Sequence, residues 1–167
     1  SVDGFTFPLI TTQHAITSHK PYPWCHAALK NCHHDYKAAD IMIETGTTVI
    51  AAKSGTVVSV HAGNQHPNNV TIKTDDGQGI NYYTHMGANT LKVRDGQHVE
   101  AGKVLGKVGT SEDAMGTDPH LHFDMLPPAY EYRVNCSGAS CTKYPFIEVQ
   151  PALVETFKML PPGARGV

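Results

Sequence analysis

The stretch NVTIKTDDGQGINYYTH, residues 69–85, is the clearest indication of the fold. Short apolar runs, residues 69–74 and 79–85, lie on either side of a turn with Asp-Gly chemistry at Asp75-Asp76-Gly77-Gln78, which predicts an antiparallel hairpin. Similar runs flank two other turns: residues 47–52 and 56–61 flank Lys53-Ser54-Gly55, which predicts a second hairpin, and residues 92–93 and 98–99 flank Arg94-Asp95-Gly96-Gln97. Two further runs, residues 103–108 and 120–126, complete the set. This spacing predicts an all-β protein, mainly an antiparallel sheet or sandwich.

The two ends of the chain interrupt this pattern. Residues 1–32 contain three prolines that break any long element, so we expect an irregular N-terminal segment; they are Pro8, Pro21 and Pro23. One short helix is predicted near the C-terminus, because Pro151 suits a first helical position and apolar residues follow at helical spacing. Pro161-Pro162-Gly163 ends it.

Length and composition limit the classes of protein to consider. The chain of 167 residues suits a single domain over residues 1–167: the irregular segment, a β core at 33–126, and a loop and helix at 127–167. A net charge of −2 argues against binding nucleic acid by neutralising phosphates. No apolar run approaches the roughly 18 residues of a membrane-spanning helix, and no signal peptide is recognisable. The unusual feature is the 11 histidines, since histidine is the commonest zinc ligand.

The four cysteines form two local pairs, Cys25 with Cys32 and Cys136 with Cys141. An even number in local pairs favours two small disulfide loops and an oxidising compartment. A Cys/His zinc site is the alternative for the first pair, because three histidines are adjacent to it: His26, His33 and His34. The CxxC spacing of structural zinc sites is absent from both pairs, which favours the disulfides.

His120-Leu121-His122 is the sharpest candidate for a functional site. On a strand, residues two apart project from one face, so the two histidines lie side by side while Leu121 faces the core. One histidine can then bind a metal while the other acts on whatever the metal binds. By itself the pattern fits a half-exposed strand with two histidines equally well.

Two further segments carry histidines. HHDYKAADI, residues 33–41, offers imidazole and carboxylate groups, and a catalytic zinc keeps three such protein ligands plus water. YYTHM, residues 82–86, places His85 in an aromatic strand. Taken alone, the first segment is more typical of a solvated loop and the second of a packed histidine. The interpretation therefore depends on all three segments together.

Together, in order and spacing, the three segments resemble the lysostaphin-like (LytM-type) zinc endopeptidases, which cut the peptide part of bacterial peptidoglycan. The resemblance runs from about residue 7 to about residue 153. It includes the strand pair GTTVIAAKSGTVV (46–58), YTHM (83–86), the hairpin GQHVEAGKVLG (96–106) and PHLHF (119–123). The hairpin alone also resembles lipoyl or biotin carrier domains, but these have no use for the histidine pattern.

The resemblance implies one Zn²⁺ per chain, held by His34, Asp40 and His122 with water at the fourth position. It also implies that His85 and His120 are catalytic. One of them takes a proton from the attacking water and hands it to the leaving amine, and the other stabilises the oxyanion. We predict His120 as the base, because its strand neighbour His122 holds the metal.

Two departures from the family pattern concern the site. The family's first motif is H-x-x-x-D, but Tyr36 lies four residues before Asp40. We therefore infer two inserted residues, with His34 as the ligand and His33 and Asp35 as alternative donors. In the loop before His120, the family's S-T-G-P is replaced by GTDP at residues 116–119, which places an Asp beside the cleft where it can alter substrate choice.

The function implied by the resemblance is hydrolysis of amide bonds in peptidoglycan stem peptides or cross-bridges. An inactive member that binds peptidoglycan or regulates another hydrolase is the first alternative, and a metal-binding structural domain is the second. The expected partner is a peptidoglycan peptide, with no nucleic acid and no membrane span, and the expected state is a monomer. The expected location is secreted, periplasmic or in the cell envelope.

Overall fold

The structure is a computed structural model that describes residues 1–19, 36–63, 67–136 and 138–163. Its strands are β1 (Leu9–Ile10), β2 (Ala38–Met42), β3 (Thr48–Ile50), β4 (Gly55–His61), β5 (Asn68–Thr74), β6 (Ile80–Met86), β7 (His98–Val99), β8 (Val104–Lys107) and β9 (His120–Leu126). Its helices are α1 (Gln13–Thr17) and α2 (Gln150–Phe157), with 3₁₀ turns at Ala88–Thr90 and Gly138–Lys143. The all-β fold with a short C-terminal helix is confirmed.

The strands form two antiparallel sheets. The larger sheet has the order β2-β9-β6-β5-β4-β7 and the smaller has the order β1-β3-β8. In the larger sheet, β9 lies between β2 and β6 and is buried along its whole length. The predicted hairpin at residues 69–85 is confirmed as β5 and β6. No helix in the described ranges is long and apolar enough to cross a membrane.

The core packs against one face of β9. Leu121 and Phe123 are fully buried and belong to one apolar cluster with residues from both sheets. The N-terminal segment contributes Phe5, whose ring lies 6.0 Å from that of Phe123, and α2 contributes Leu153. Both ends of the described chain therefore cover the same core, which leaves the opposite face of β9 for polar side chains.

The hairpin predicted for residues 47–52 and 56–61 is wrong. β3 pairs with β1 and β8 in the smaller sheet, whereas β4 pairs with β5 and β7 in the larger one. The connection between them crosses from one sheet to the other. It is held by Lys53, whose Nζ donates to Asp76 Oδ2 at 2.7 Å, and by the Ala52 amide, which donates to the Tyr83 hydroxyl at 2.9 Å. These tertiary contacts outweigh the local turn chemistry.

Two other local expectations also change. Residues 92–93 do not form a strand with β7, because the Lys92 amide donates to Leu105 O and β7 pairs with β4. The N-terminal segment is not wholly irregular, since β1 and α1 lie within it. Thr12 caps α1 by accepting a hydrogen bond from the Ala15 amide through its side chain.

Gly55 allows β4 to approach its neighbour closely. A Cβ at this position would lie nearer to Lys73 O than real Cβ atoms come, and 2.7 Å from a methyl group of Ile72. We expect Gly55→Ala to lower the free energy of unfolding by about 1–3 kcal/mol, because the strand pair must shift. Urea denaturation measures this. Gly63→Ala is the control, since its Cβ would meet nothing within 4 Å, and equal effects of the two variants would contradict the prediction.

Candidate metal centre

Strand register brings the predicted site residues together. In the β2–β9 pair, Asp40 lies opposite His122 and Met42 lies opposite His120. Directly opposite residues of antiparallel strands project from the same face. Asp40, His120 and His122 therefore share the face of the larger sheet that lies away from the core, and all three are buried.

The distances confirm that these side chains meet. His122 Nδ1 lies 3.2 Å from Asp40 Oδ1, and His120 Nε2 lies 3.6 Å from the same oxygen. Asp40 has no exposed surface, and the two histidines are only 2% and 3% exposed. The side-by-side placement of His120 and His122 expected from strand alternation is thus observed, with a carboxylate between them.

His85 joins the site through an irregularity in β6. Asn68 pairs with Met86 and Asn69 with Thr84, so His85 is an extra residue on β6, with a left-handed φ of 69°. In a regular strand, His85 would project from the face opposite to Thr84 and so away from the site. The irregularity instead brings the His85 ring to 4.7 Å from the ring of His120, at a backbone cost of about 1–3 kcal/mol for a non-glycine residue.

Backbone carbonyls orient both catalytic candidates in the same way. His85 Nδ1 lies 2.9 Å from Asp113 O, and His120 Nδ1 lies 2.7 Å from Asp118 O. A carbonyl oxygen only accepts hydrogen bonds, so Nδ1 is the protonated nitrogen of each ring. Each neutral imidazole therefore presents its Nε2 lone pair, which is the atom that accepts a proton in general base catalysis.

The described residues supply two of the three predicted metal ligands. His34 and the alternative donors His33 and Asp35 lie outside the described residues, as do Cys25 and Cys32. Within the described ranges, no group of three His, Cys, Asp or Glu side chains is arranged to hold a metal ion.

The two donors that are described nevertheless suit zinc. Two ligand atoms each about 2.1 Å from a tetrahedral zinc lie roughly 3.4 Å apart, which is close to the separation of His122 Nδ1 and Asp40 Oδ1. Tyr36, which stands where the family's first histidine is usual, is turned to Arg133, whose Nη2 donates to its hydroxyl at 3.3 Å.

Two residues of the site were not predicted from the sequence. Asp124 Oδ2 accepts a hydrogen bond from His122 Nε2 at 2.7 Å, and Arg133 donates to the same oxygen. The alternation that pairs His120 with His122 continues to Asp124, so this residue was detectable in principle. Arg133 lies in the loop after β9, and no local pattern marks it.

Burial and charge move the pKa values of two histidines in opposite directions. Burial disfavours the protonated form of His122, but its hydrogen bonds to Asp124 and Asp40 outweigh this and raise its pKa to about 9. Burial, together with the nearby His122 and His120, lowers the pKa of His85 to about 3. In the metal-free protein at neutral pH, His122 is therefore cationic and His85 is neutral.

A groove of about 660 Å³ opens beside these side chains. Its lining includes polar residues of β4, β5 and β6, among them Ser59, Thr71 and Thr84, together with Tyr132 and Arg133 from the loop after β9. A cleft of this volume accommodates a short peptide segment.

Residues 34–135 match the family model of Peptidase family M23. The chain belongs to this family. The match spans the site segments from residue 34 to β9 and the loop that carries Arg133. It confirms the predicted resemblance to the lysostaphin-like (LytM-type) peptidases.

Individual relatives agree with this M23 assignment. Lysostaphin of Staphylococcus simulans is 32% identical over 88 residues, which is 52% of this chain and 17% of lysostaphin. Glycyl-glycine endopeptidase ALE-1 of Staphylococcus capitis is 28% identical over 97 residues, which is 58% of this chain and 26% of that protein. The chain thus spans about a fifth of the length of these relatives.

The fold agrees as well. The solved structure of the catalytic domain of the antimicrobial peptidase lysostaphin from S. simulans covers 86% of this M23 chain, and 98% of that domain is matched. The TM-score is 0.57 at 22% sequence identity, so the two share a fold.

The pKa shifts of His122 and His85 predict how the stability of the metal-free protein depends on pH. A raised pKa in the folded state makes His122 stabilising below its unfolded pKa of 6.5, and this contribution is lost as the pH rises through about 9. Because the pKa of His85 is lowered to about 3 in the folded state, only the unfolded chain takes up a proton at this residue between pH 6.5 and about 3. Stability therefore falls as the pH falls through this range.

We therefore expect the free energy of unfolding, measured by urea denaturation in the presence of a chelator, to be greatest near pH 6.5. It should fall by about 3 kcal/mol toward pH 9. His122→Gln should remove most of this alkaline loss, and the remainder comes from the exposed His98, whose pKa is raised by its hydrogen bond with Asp75. A wild-type stability that stays constant from pH 6.5 to 9 would contradict the prediction.

Proposed function

We propose that this M23 chain is a zinc-dependent endopeptidase that hydrolyses amide bonds of peptidoglycan stem peptides or cross-bridges. The observation that carries the proposal is the meeting of Asp40, His122, His120 and His85 beside a peptide-sized groove. The relatives named lysostaphin and glycyl-glycine endopeptidase support the substrate class. The alternative of an inactive family member is not favoured, because every described candidate position holds a functional side chain.

The proposed zinc ligands are His34, Asp40 through Oδ1 and His122 through Nδ1. The His122 imidazole and the Asp40 carboxylate already lie at the distance expected of two ligands of one zinc ion. When bound, zinc lowers the pKa of its water toward neutrality and polarises the scissile carbonyl. Metal binding requires His122 Nδ1 to lose its proton, while Nε2 keeps its proton and continues to donate a hydrogen bond to Asp124.

His120 is the proposed general base. Its Nε2 lies 3.6 Å from the proposed ligand atom Asp40 Oδ1, and the Asp118 carbonyl holds the proton on Nδ1. Nε2 can accept a proton from the attacking water and then donate it to the leaving amine. His85, oriented alike by Asp113 O, can orient water while neutral and stabilise an oxyanion only when protonated.

The proposed place of action is outside the cytoplasm, as for a secreted, periplasmic or cell-envelope protein. The Cys136–Cys141 disulfide supports this proposal, and it confirms one of the two pairings expected from the sequence. A single domain over residues 1–167 and a monomeric state remain predictions.

Two substitutions on β9 should affect zinc content and turnover differently. His122→Ala removes a proposed ligand, so zinc content and activity should both collapse. His120→Ala leaves the ligand set intact, so zinc should stay near one equivalent while turnover falls about 10²–10⁴-fold. His85→Ala should also keep its zinc.

The measurements are zinc by elemental analysis and new amino termini released from purified peptidoglycan of glycine-bridged and directly cross-linked types. Wild type is the reference. Zinc retained in His122→Ala but lost in His120→Ala would reverse the roles. Wild type that binds zinc but releases no termini from either substrate would overturn the proposed function.

The first ligand is tested by three substitutions in residues 33–35. We expect His34→Ala to lose zinc, because His34 requires the smaller insertion relative to the family motif, and His33→Ala and Asp35→Ala to retain it. Zinc content and circular dichroism are measured on the same samples, so that loss of metal is separated from loss of fold. If His33→Ala loses zinc and His34→Ala retains it, the first ligand is His33 and not His34.

A further inference from the structure

Asp124 ends the polar row that begins with His120 and His122 on β9. Its side chain is 1% exposed, and one oxygen, Oδ2, accepts from His122 Nε2 at 2.7 Å. The same oxygen accepts from Arg133 Nε at 3.1 Å and from Arg133 Nη2 at 3.0 Å. The carboxylate thus pairs with the guanidinium on one side and accepts a hydrogen bond from the imidazole on the other.

The guanidinium of Arg133 is fully engaged. Besides Asp124, it donates through Nη2 to the Tyr36 hydroxyl, and through Nη1 to Val134 O at 2.6 Å and to Cys136 Sγ at 3.3 Å. These contacts use all five N–H groups that a guanidinium carries. The group also lies over the ring of Tyr82, 4.8 Å from its centroid.

These hydrogen bonds distinguish two roles for Arg133, binding a substrate and holding Asp124. The residue lines the groove, so binding a substrate carboxylate is the obvious role. Its donors, however, already point at protein acceptors, and side-chain exposure is only 11%. Binding a carboxylate would require breaking the contacts to Asp124, which would leave a buried carboxylate without its cation.

The consequence for His122 is a fixed tautomer. An acceptor at Nε2 keeps the proton there, so the neutral ring presents its lone pair at Nδ1, 3.2 Å from Asp40 Oδ1. Without Asp124 the proton could reside on either nitrogen. Groups that hold the second nitrogen of a ligating histidine commonly contribute 10–100-fold to metal affinity.

The disulfide holds Arg133 in place. Cys136 follows Arg133 by three residues, contacts it through Sγ and is bonded to the fully buried Cys141. Cys141 packs in a small apolar cluster with Tyr36 and Phe146, and the Arg133 guanidinium lies over the Phe146 ring. The loop is thus anchored in this apolar cluster through Cys141.

We propose that Asp124 and Arg133 are a positioning pair that sets the tautomer of His122, with Nε2–H toward Asp124 and Nδ1 toward Asp40, and so tunes zinc affinity. The proposal rests on His122 being a ligand, as in the proposed function. It assigns the Cys136–Cys141 loop a role in holding the pair. Neither residue is a catalytic residue.

The test combines NMR of the histidine rings with zinc affinity. In wild type, metal-free and zinc-loaded, ¹H–¹⁵N spectra should show a slowly exchanging Nε2–H of His122. Asp124→Ala and Arg133→Met should broaden or lose this signal and weaken zinc binding, measured by competition with a chelator, about 10–100-fold. Asp124→Asn keeps an acceptor oxygen and should retain the signal.

Lys53→Met is the matched control, because it breaks the Lys53–Asp76 ion pair away from the site. It should lower stability without changing the Nε2–H signal or zinc affinity. If Asp124→Ala does not fold, Arg133→Met decides the question on the same two readouts.

The outcomes separate this proposal from the function itself. Wild type without zinc binding would overturn the proposed function. Wild type that binds zinc, together with Arg133→Met and Asp124→Ala variants that keep both the signal and the affinity, would overturn only the positioning pair. A raised KM in Arg133→Met with unchanged zinc affinity would instead make Arg133 a substrate-binding residue.

Discussion

The antiparallel register between β2 and β9 is the constraint on which the rest of the structure depends. It places Asp40 opposite His122 and, by alternation, directs Leu121 and Phe123 to the opposite face, into the core. A slip of one residue would exchange the two faces and bury both histidines in the apolar cluster. The packing that stabilises the fold therefore also determines that a carboxylate and two imidazoles meet.

Concentrating polar groups on one buried face has an energetic cost that the surroundings must offset. Buried carboxylates and imidazoles are unfavourable unless they are paired and hydrogen-bonded. Asp124 is paired with Arg133, and carbonyls of the loop before β9 orient His85 and His120. The segments that surround the sheet thus complete a site that the strands alone would leave unsatisfied.

The loop after β9 connects this site to the second, smaller apolar cluster. Its disulfide and the ring of Phe146 hold the Arg133 guanidinium, which in turn holds Asp124. Asp124 accepts from His122, the proposed zinc ligand, so the loop supports that side chain as well. Arg133, which lines the groove, and His122 therefore share one set of supporting contacts.

Local patterns were sufficient to predict the all-β class, the β5–β6 hairpin and the shared face of His120 and His122, because alternation and turn chemistry are local. The Cys136–Cys141 pair was predictable from the short separation of the two cysteines. The sequence also carried the motifs of the family to which the chain belongs. Three features became visible only in the tertiary structure. β3 and β4 belong to different sheets, an extra residue on β6 turns His85 toward the site, and Arg133 forms an ion pair with Asp124. These features arise from contacts between segments far apart in the chain, and no local periodicity encodes them.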